Sequence, residues 1–291
     1  MNLEENVELA RLTTIGTGGR ARAFAKPTSL AELEWALAWA AERELRVATV
    51  GLGSNLLAAD EGVDALVLRL AGELAGARVD GETLFAGGGA TNAVCLHQAR
   101  AAGLGGFEFA CAIPGTAGGG VRMNAGAYGR DWSQILKRAR IFHATEGEAW
   151  MTPEGLGLSY RHSSLGDGFV VAEVEYGLEP RPVAEIKATV AELVAQRKAT
   201  QPTNKRTFGS VFKNPEHELG AGRMLEACGL KGYAIGGALI SPKHANFIEN
   251  AGGATTADAL ALMAEARRRA CEQFGVELEH EVRLLGPISV V

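Results

Sequence analysis

Six glycines crowd the stretch IPGTAGGGVRMNAGAYG, Ile113–Gly129. Glycine is costly to order, so a long glycine-rich run inside a folded chain needs a backbone reason. The stretch has no apolar periodicity and two small polar residues, Thr116 and Asn124. It therefore reads as a place where main chain must come close to something that side chains would exclude. Two further runs have the same texture: TIGTGGRA, which begins at Thr14, and VATVGLGSNLL, which begins at Val47.

The first of these holds Gly16-x-Gly18-x-x-Ala21, a near match to the dinucleotide fingerprint. That fingerprint needs an apolar strand before it and a helix after it. ELARLT makes a poor strand and ARAFAKP a poor helix opening, so a Rossmann unit is not expected. The second run does follow an apolar strand, but no clear helix comes after it. Its Gly51-Leu-Gly53-Ser54-Asn55 reads either as an anion-binding nest for a diphosphate or as a tight turn between strands. The third run, with Thr116 and Asn124 as hydrogen-bonding groups, suits a large flat ligand with polar ring edges. No GxxxxGK[ST] occurs, so no P-loop is present.

The remainder of the chain alternates irregularly. Ser29-Leu-Ala-Glu32 reads as a capping box opening the helix LAELEWALAWAAERE. Strands are expected at 46–51, 64–70 and 169–179, and a helix at 91–102 capped by Thr91. Hairpins are expected to turn at Asp80-Gly81 and Glu146-Gly147. From Pro182 the texture changes: a helix over 183–198 ends at Gln201-Pro202. A short helix, AGRMLEACG, and a long one opening at Thr255 or Thr256 follow. The fold class is α+β. With 291 residues the chain is long enough for two or three domains. We expect a boundary near Pro182, a further lobe boundary near residues 50–60, a third region over 182–275 and a tail over 276–291.

A net charge of -5 argues against nucleic acid as the main partner. The acidic amino terminus lacks a signal-peptide pattern, and no apolar run is long enough to span a bilayer. A cytoplasmic protein is expected, as a monomer or weak dimer. Cys95, Cys111, Cys228 and Cys271 are scattered with no CxxC, which reads as free thiols and no metal site.

Taken in order, TTIGTGGRA, GLGSNLL and IPGTAGGGVRMNAGAYG resemble a vanillyl-alcohol-oxidase-type FAD-binding domain of two lobes. With YRHS, GSVFKNP, KHANFI and EHEVRLLG added, nearly the whole chain resembles the UDP-N-acetylenolpyruvoylglucosamine reductase family. The resemblance implies FAD as cofactor, held by Gly51, Gly53, Ser54, Asn55 and Leu56 and by Pro114, Gly115, Thr116, Gly118, Gly119, Gly120, Asn124, Gly126 and Tyr128. It implies NADPH as hydride donor and UDP-N-acetylglucosamine enolpyruvate as the substrate, whose C=C is reduced. The third region is then a substrate-binding domain that closes over the cofactor, and the tail returns to the flavin face.

The same resemblance assigns Arg161 to the substrate carboxylate and the developing enolate, Ser210 to protonation of C2, and Glu281 to stabilising the intermediate or orienting a water or the arginine. Tyr160, Lys213, Asn214, Lys243, His244 and Asn246 are candidates for the substrate. Lys213 also reads as an exposed charge and His244 as a core histidine. Two positions depart from the family pattern: Thr13 stands before the threonine of the first loop, and Thr207-Phe208 stands before Gly-Ser. The short distance from Ser210 to AGRMLEACG resembles the class lacking a substrate-covering tyrosine loop. Another FAD-dependent oxidase or dehydrogenase, or a flavin protein without catalysis, remains as an alternative.

Overall fold

The helix Leu30–Ala41 forms because Leu33, Ala36, Leu37 and Ala40 recur on one face, and all four are buried. Ser29 caps it by accepting the Glu32 N–H. The reciprocal half of the expected capping box differs. The Glu32 carboxylate reaches one residue further back, to the N–H and hydroxyl of Thr28, both at 2.7 Å. These bonds hold the Glu32 carboxyl below its usual pKa.

The computed structural model describes residues 2–290. The chain divides into two compact units. The first takes residues 2–5, Ala23–Leu52 and Asp64–Gln196, and the second takes Asn6–Arg22, Gly53–Val63 and 197–290.

In the first unit, the strands Arg46–Thr49 and Val63–Leu68 pair in parallel, in register from Arg46 with Ala65 to Thr49 with Leu68. Leu33, Leu37, Val47, Leu66 and Leu68 share one core there. A second, larger sheet is antiparallel throughout. Its order is Gly147–Met151, Leu136–His143, Val170–Gly177, Thr83–Gly87, Ala77–Asp80. The first hairpin closes with Asp80 opposite Thr83, and Gly81 supplies the left-handed φ of +56°. In the second, His143 pairs with Gly147.

The glycine run corrects its sequence reading. Ala117–Met123 is a helix, capped by the Thr116 hydroxyl, which accepts the Gly119 N–H, and closed by Asn124 at φ +37°. Glycine inside a helix costs about 1 kcal/mol relative to alanine, and packing supplies the reason for it here. A Cβ on Gly120 would overlap the Trp132 indole, 2.6 Å from Cζ2. A Cβ on Gly118 would sit 2.9 Å from the Gly88 carbonyl oxygen and 3.0 Å from that of Val171. The helix backbone thus lies directly on the sheet. Trp132 in turn donates its indole N–H to the Tyr176 hydroxyl at 2.7 Å and packs edge-on against Phe107 and Phe109.

The second unit is built on the antiparallel sheet Thr207–Ser210, Phe247–Asn250, Ala238–Ile240, Ala234–Ile235. Phe208, Met224, Ile240, Ile248, Leu262, Met263 and Ala266 form its core with the helices Ala221–Ala227 and Thr256–Phe274. The long helix opens on a full capping box, Thr255 with Asp258, and closes at left-handed Gly275. Asp60 adds a second cap: its two carboxylate oxygens accept the N–H groups of Thr256 and Ala257, each at 2.9 Å. An anion there also opposes the helix dipole. Beyond Asp60, the strand Leu56–Ala58 pairs in parallel with Arg283–Leu285.

Gly120→Ala is expected to lower stability by about 1–3 kcal/mol through overpacking against Trp132. Gly119→Ala in the same helix has only the Thr116 hydroxyl, at 3.4 Å, near its new Cβ. It should leave stability unchanged or raise it by up to about 1 kcal/mol. Urea midpoints of the two variants distinguish these cases, and equal midpoints would refute the packing account. Asp60→Ala should cost about 1–2 kcal/mol by removing two acceptors from a helix amino end, read by the same titration. A midpoint at the wild-type value would show that Thr255 and Asp258 suffice.

Candidate active site

Arg161 stands at the corner of a two-residue turn in the first unit. Ser159 and His162 close the turn by exchanging backbone N–H···O bonds, both 3.1 Å. Arg161 has φ +53°, an uncommon conformation for a long side chain. Its guanidinium donates to the Gly126 carbonyl at 2.6 Å and lies 5.0 Å from the centre of the Tyr160 ring, which is 49% exposed. Gly126 has no room for a side chain: a Cβ would stand 2.9 Å from Arg161 Nη1. The turn is further tied down by the Asn124 amide, which donates to Ser159 O at 2.9 Å. The Ser163 hydroxyl also donates to Arg122 O, at 2.6 Å.

Other predicted residues of this unit hold the glycine helix in place. The N–H groups of Ala117 and Gly118 donate to the carbonyls of Ala90 and Gly88, and Gly119 donates to Thr116 Oγ1. The Gly115 carbonyl accepts from Asn92 N. Gly51 lies against Thr116, whose hydroxyl would be 2.7 Å from a Cβ placed there, and its carbonyl accepts from Arg69 Nε at 3.0 Å. Burial lowers the pKa of Arg69. Pro114 and Tyr128 are exposed. Tyr128 is held at φ +54° and donates its hydroxyl to Leu193 O at 3.0 Å.

Ser210 and Glu281 come together in the second unit. Ser210 ends the strand Thr207–Ser210, just after left-handed Gly209, and pairs with Phe247. The Glu281 N–H donates to the carbonyl of Val211, the next residue along, at 2.8 Å, and Phe212 bridges to His280. The run Gly53–Leu56 is registered on the same tail. The Asn55 amide donates to Glu281 O at 3.2 Å, Arg283 N donates to Asn55 O at 3.1 Å, and Leu56 pairs with Arg283. Gly53 is required because a Cβ would overlap the Leu12 carbonyl, and its own carbonyl accepts the N–H and hydroxyl of Thr14. Ser54 is half-buried beside it.

The remaining candidates are placed as follows. Lys213 pairs with Glu279 at 2.6 Å and donates its backbone N–H to the same residue's carbonyl. Asn214 accepts the Ala221 N–H at 3.0 Å, serving the short helix whose own cap position is Gly220. Asn246 is 4% exposed and its amide pairs with both backbone groups of Phe212, at 2.8 and 3.0 Å, as a strand would. Lys243 donates to the Lys198 carbonyl. His244 accepts the Asn246 N–H and stands edge-on to Phe247, 5.0 Å between centres. Burial first, then the Lys231 charge, lowers its pKa, so it is neutral at pH 7. Burial pushes the Cys95 thiol up to about 12, which leaves it unreactive.

The sequence reads the glycine runs as main chain left bare for a ligand. Gly53, Gly118, Gly120 and Gly126 each also have a packing reason, because each faces another segment's backbone or a large side chain, and Gly51 faces the Thr116 side chain. Sequence reasoning missed Asp60 and the tie from Asn55 to Glu281. No local signal announces either, since both partners are more than 190 residues away in the chain.

Comparisons with known proteins show which family the chain is similar to. The model of an FAD binding domain matches residues 21–151, and that of the UDP-N-acetylenolpyruvoylglucosamine reductase C-terminal domain matches residues 201–285. UDP-N-acetylenolpyruvoylglucosamine reductase 2 of Symbiobacterium thermophilum is 44% identical over 279 residues, 96% of this chain and 90% of that protein. The reductase of Rubrobacter xylanophilus is 42% identical over 286 residues, 96% of this chain and 93% of that protein. Among solved structures, the crystal structure of the reductase from Thermus caldophilus superposes with a TM-score of 0.85 at 37% identity, covering 98% of this chain and 99% of that one. The chain therefore belongs to the UDP-N-acetylenolpyruvoylglucosamine reductase family.

Proposed function

We propose that this chain uses NADPH and bound FAD to reduce the enolpyruvyl C=C of UDP-N-acetylglucosamine enolpyruvate, giving UDP-N-acetylmuramate for peptidoglycan precursor synthesis. The reading rests above all on the near full-length likeness to reductases of that name, carried across both the FAD-binding and the C-terminal regions.

The residues present suit FAD. Neither Gly51–Asn55 nor Ile113–Gly129 contains Asp or Glu, so a diphosphate meets no carboxylate in either run. Gly119 is exposed on the first turn of its helix, with only the Thr116 hydroxyl near the position of a Cβ, so bare backbone faces outward there. Gly51, Gly53, Ser54, Asn55 and Leu56, with Pro114, Gly115, Thr116, Gly118, Gly119, Gly120, Gly126 and Tyr128, would hold the cofactor, while the amide of Asn124, the remaining residue of the expected set, is engaged by Ser133 and Ser159. FAD, when bound, supplies the two-electron chemistry between NADPH and the alkene.

Within this reading Arg161 binds the substrate carboxylate as a fork and stabilises negative charge as it grows on the enolate oxygens. Ser210 gives its hydroxyl proton to C2 and recovers one from solvent. A serine hydroxyl is a weak acid, so its target must be a strongly basic carbanion-like centre. Glu281, whose backbone is bonded to Val211 beside that serine, stabilises the intermediate or orients a water or the arginine. Lys213, Asn214, Lys243, His244, Asn246 and Tyr160 belong to the substrate side. His244, being neutral, would act as a hydrogen-bond partner rather than a cation.

The class without a substrate-covering tyrosine loop is part of the proposal, since only residues 211–220 separate Ser210 from the helix Ala221–Ala227. Among the described residues no helix is long and apolar enough to cross a membrane. The proposal places the enzyme in the cytoplasm as a monomer or weak dimer, where its nucleotide substrates are found.

The test follows the visible spectrum of the purified protein under anaerobic conditions. NADPH should bleach the flavin, and the enol ether should restore its colour. Recovery only with oxygen would favour an oxidase. Ser210→Ala should bleach at the wild-type rate but recover with the enol ether about 10²- to 10⁴-fold more slowly, the loss expected for a missing general acid. Unchanged recovery would remove Ser210 from the mechanism.

A further inference from the structure

Asn124 is the point from which the Arg161 turn is held. It is 1% exposed and closes the glycine helix in the left-handed region, φ +37°. Asparagine tolerates that conformation, but glycine would serve it better. What glycine cannot supply is the amide. Its oxygen accepts the Ser133 N–H at 2.9 Å, and its nitrogen donates to the Ser159 carbonyl at 2.9 Å. Ser159 is the first residue of the turn that carries Tyr160 and Arg161 at its corner.

That turn needs outside support. Arg161 is itself left-handed, at φ +53°, and such a conformation persists only where the surroundings over-determine it. Three bonds tie it to one segment. Ser163 Oγ bonds Arg122 O, Asn124 Nδ2 bonds Ser159 O, and Arg161 Nη2 bonds Gly126 O. Arg122, Asn124 and Gly126 are alternate residues of the glycine helix's end, so the turn lies alongside it, tied at three successive points. Asn124 is anchored again on its far side, through Ser133.

We propose that Asn124 is a positioning residue for Arg161, setting the pose of the guanidinium through the Ser159 carbonyl, and that its amide does not serve the cofactor. The role rests on the reading above, in which Arg161 holds the substrate carboxylate. It names which residue makes that arginine competent.

The experiment compares Asn124→Gly and Asn124→Asp with the wild-type FAD-loaded enzyme. Glycine keeps the left-handed closure and removes both bonds. Aspartate keeps the acceptor for Ser133 and removes the donor to Ser159. Both variants should show the wild-type flavin spectrum and be bleached by NADPH at the wild-type rate. Both should be reoxidised by the enol ether about 10- to 100-fold more slowly, with a raised KM for it, as expected when a binding group is misplaced by about an ångström. Amide hydrogen exchange over residues 159–163 should quicken in both, with the rest of the first unit unchanged.

Wild-type reoxidation by Asn124→Gly would overturn the proposal. So would loss of the flavin, or faster exchange throughout the unit, since either would make Asn124 a cofactor or general folding residue. If wild-type reduced flavin is not reoxidised by the enol ether at all, the functional reading fails instead. The exchange at 159–163 then still decides whether Asn124 holds the turn.

Discussion

Direct contact between backbones is the constraint on which the first unit rests. The helix Ala117–Met123 sits on the strand Val170–Gly177 and on the loop at Gly88 with no side chain between them at Gly118, and on the Trp132 indole at Gly120. A helix normally packs on a sheet across a layer of side chains, roughly 10 Å between axis and sheet. Removing that layer brings the helix's amino end within hydrogen-bonding distance of the carbonyls of Gly88 and Ala90. The same approach places its carboxyl end beside the turn of Arg161. Gly118 and Gly120 are therefore not slack in the chain; they set how deep the helix lies.

The second unit works by different means. Its elements are ordinary in composition, and charge and register connect them. Asp60 binds the amino end of the long helix, and the strand Leu56–Ala58 lies in parallel with Arg283–Leu285. Just before those two attachments the run Gly53–Leu56 is fixed against the tail that carries Glu281. Ser210 joins the same group through Val211, whose carbonyl accepts the Glu281 N–H. Three segments far apart in sequence are thereby brought into one hydrogen-bonded array. A change in any one strand's register would move a proposed catalytic group.

Several residues that read from sequence as ligand contacts are engaged first by the protein. The Thr116 hydroxyl caps a helix, the Asn246 amide imitates a strand partner of Phe212, and Asn214 serves the amino end of the helix Ala221–Ala227. This is consistent with roles in which they shape the site rather than line it. Buried amides are costly to leave unpaired, so they are placed where both ends find partners. Lys213 and Lys243 differ, because each holds a single partner at the end of a long, adjustable side chain.

The sequence by itself determined the elements whose causes are local. The buried stripe of Leu33, Leu37 and Ala40, the caps at Ser29 and Thr91, a cap at Thr255 or Thr256 and the hairpin at Asp80-Gly81 all follow from residues within one turn of one another. The family motifs and their order were likewise legible, because they are contiguous. Whatever depends on contacts across the chain was not. The helix within the glycine run was not, since neither Trp132 nor the carbonyl of Val171 is visible from a window around it. Glu32 bonding to Thr28, Asp60 capping a helix 196 residues away, and Asn124 gripping Ser159 belong to the tertiary structure alone. Propensity and pattern act over a few residues, whereas a hydrogen bond's partner is chosen by what the folded chain brings within 3 Å.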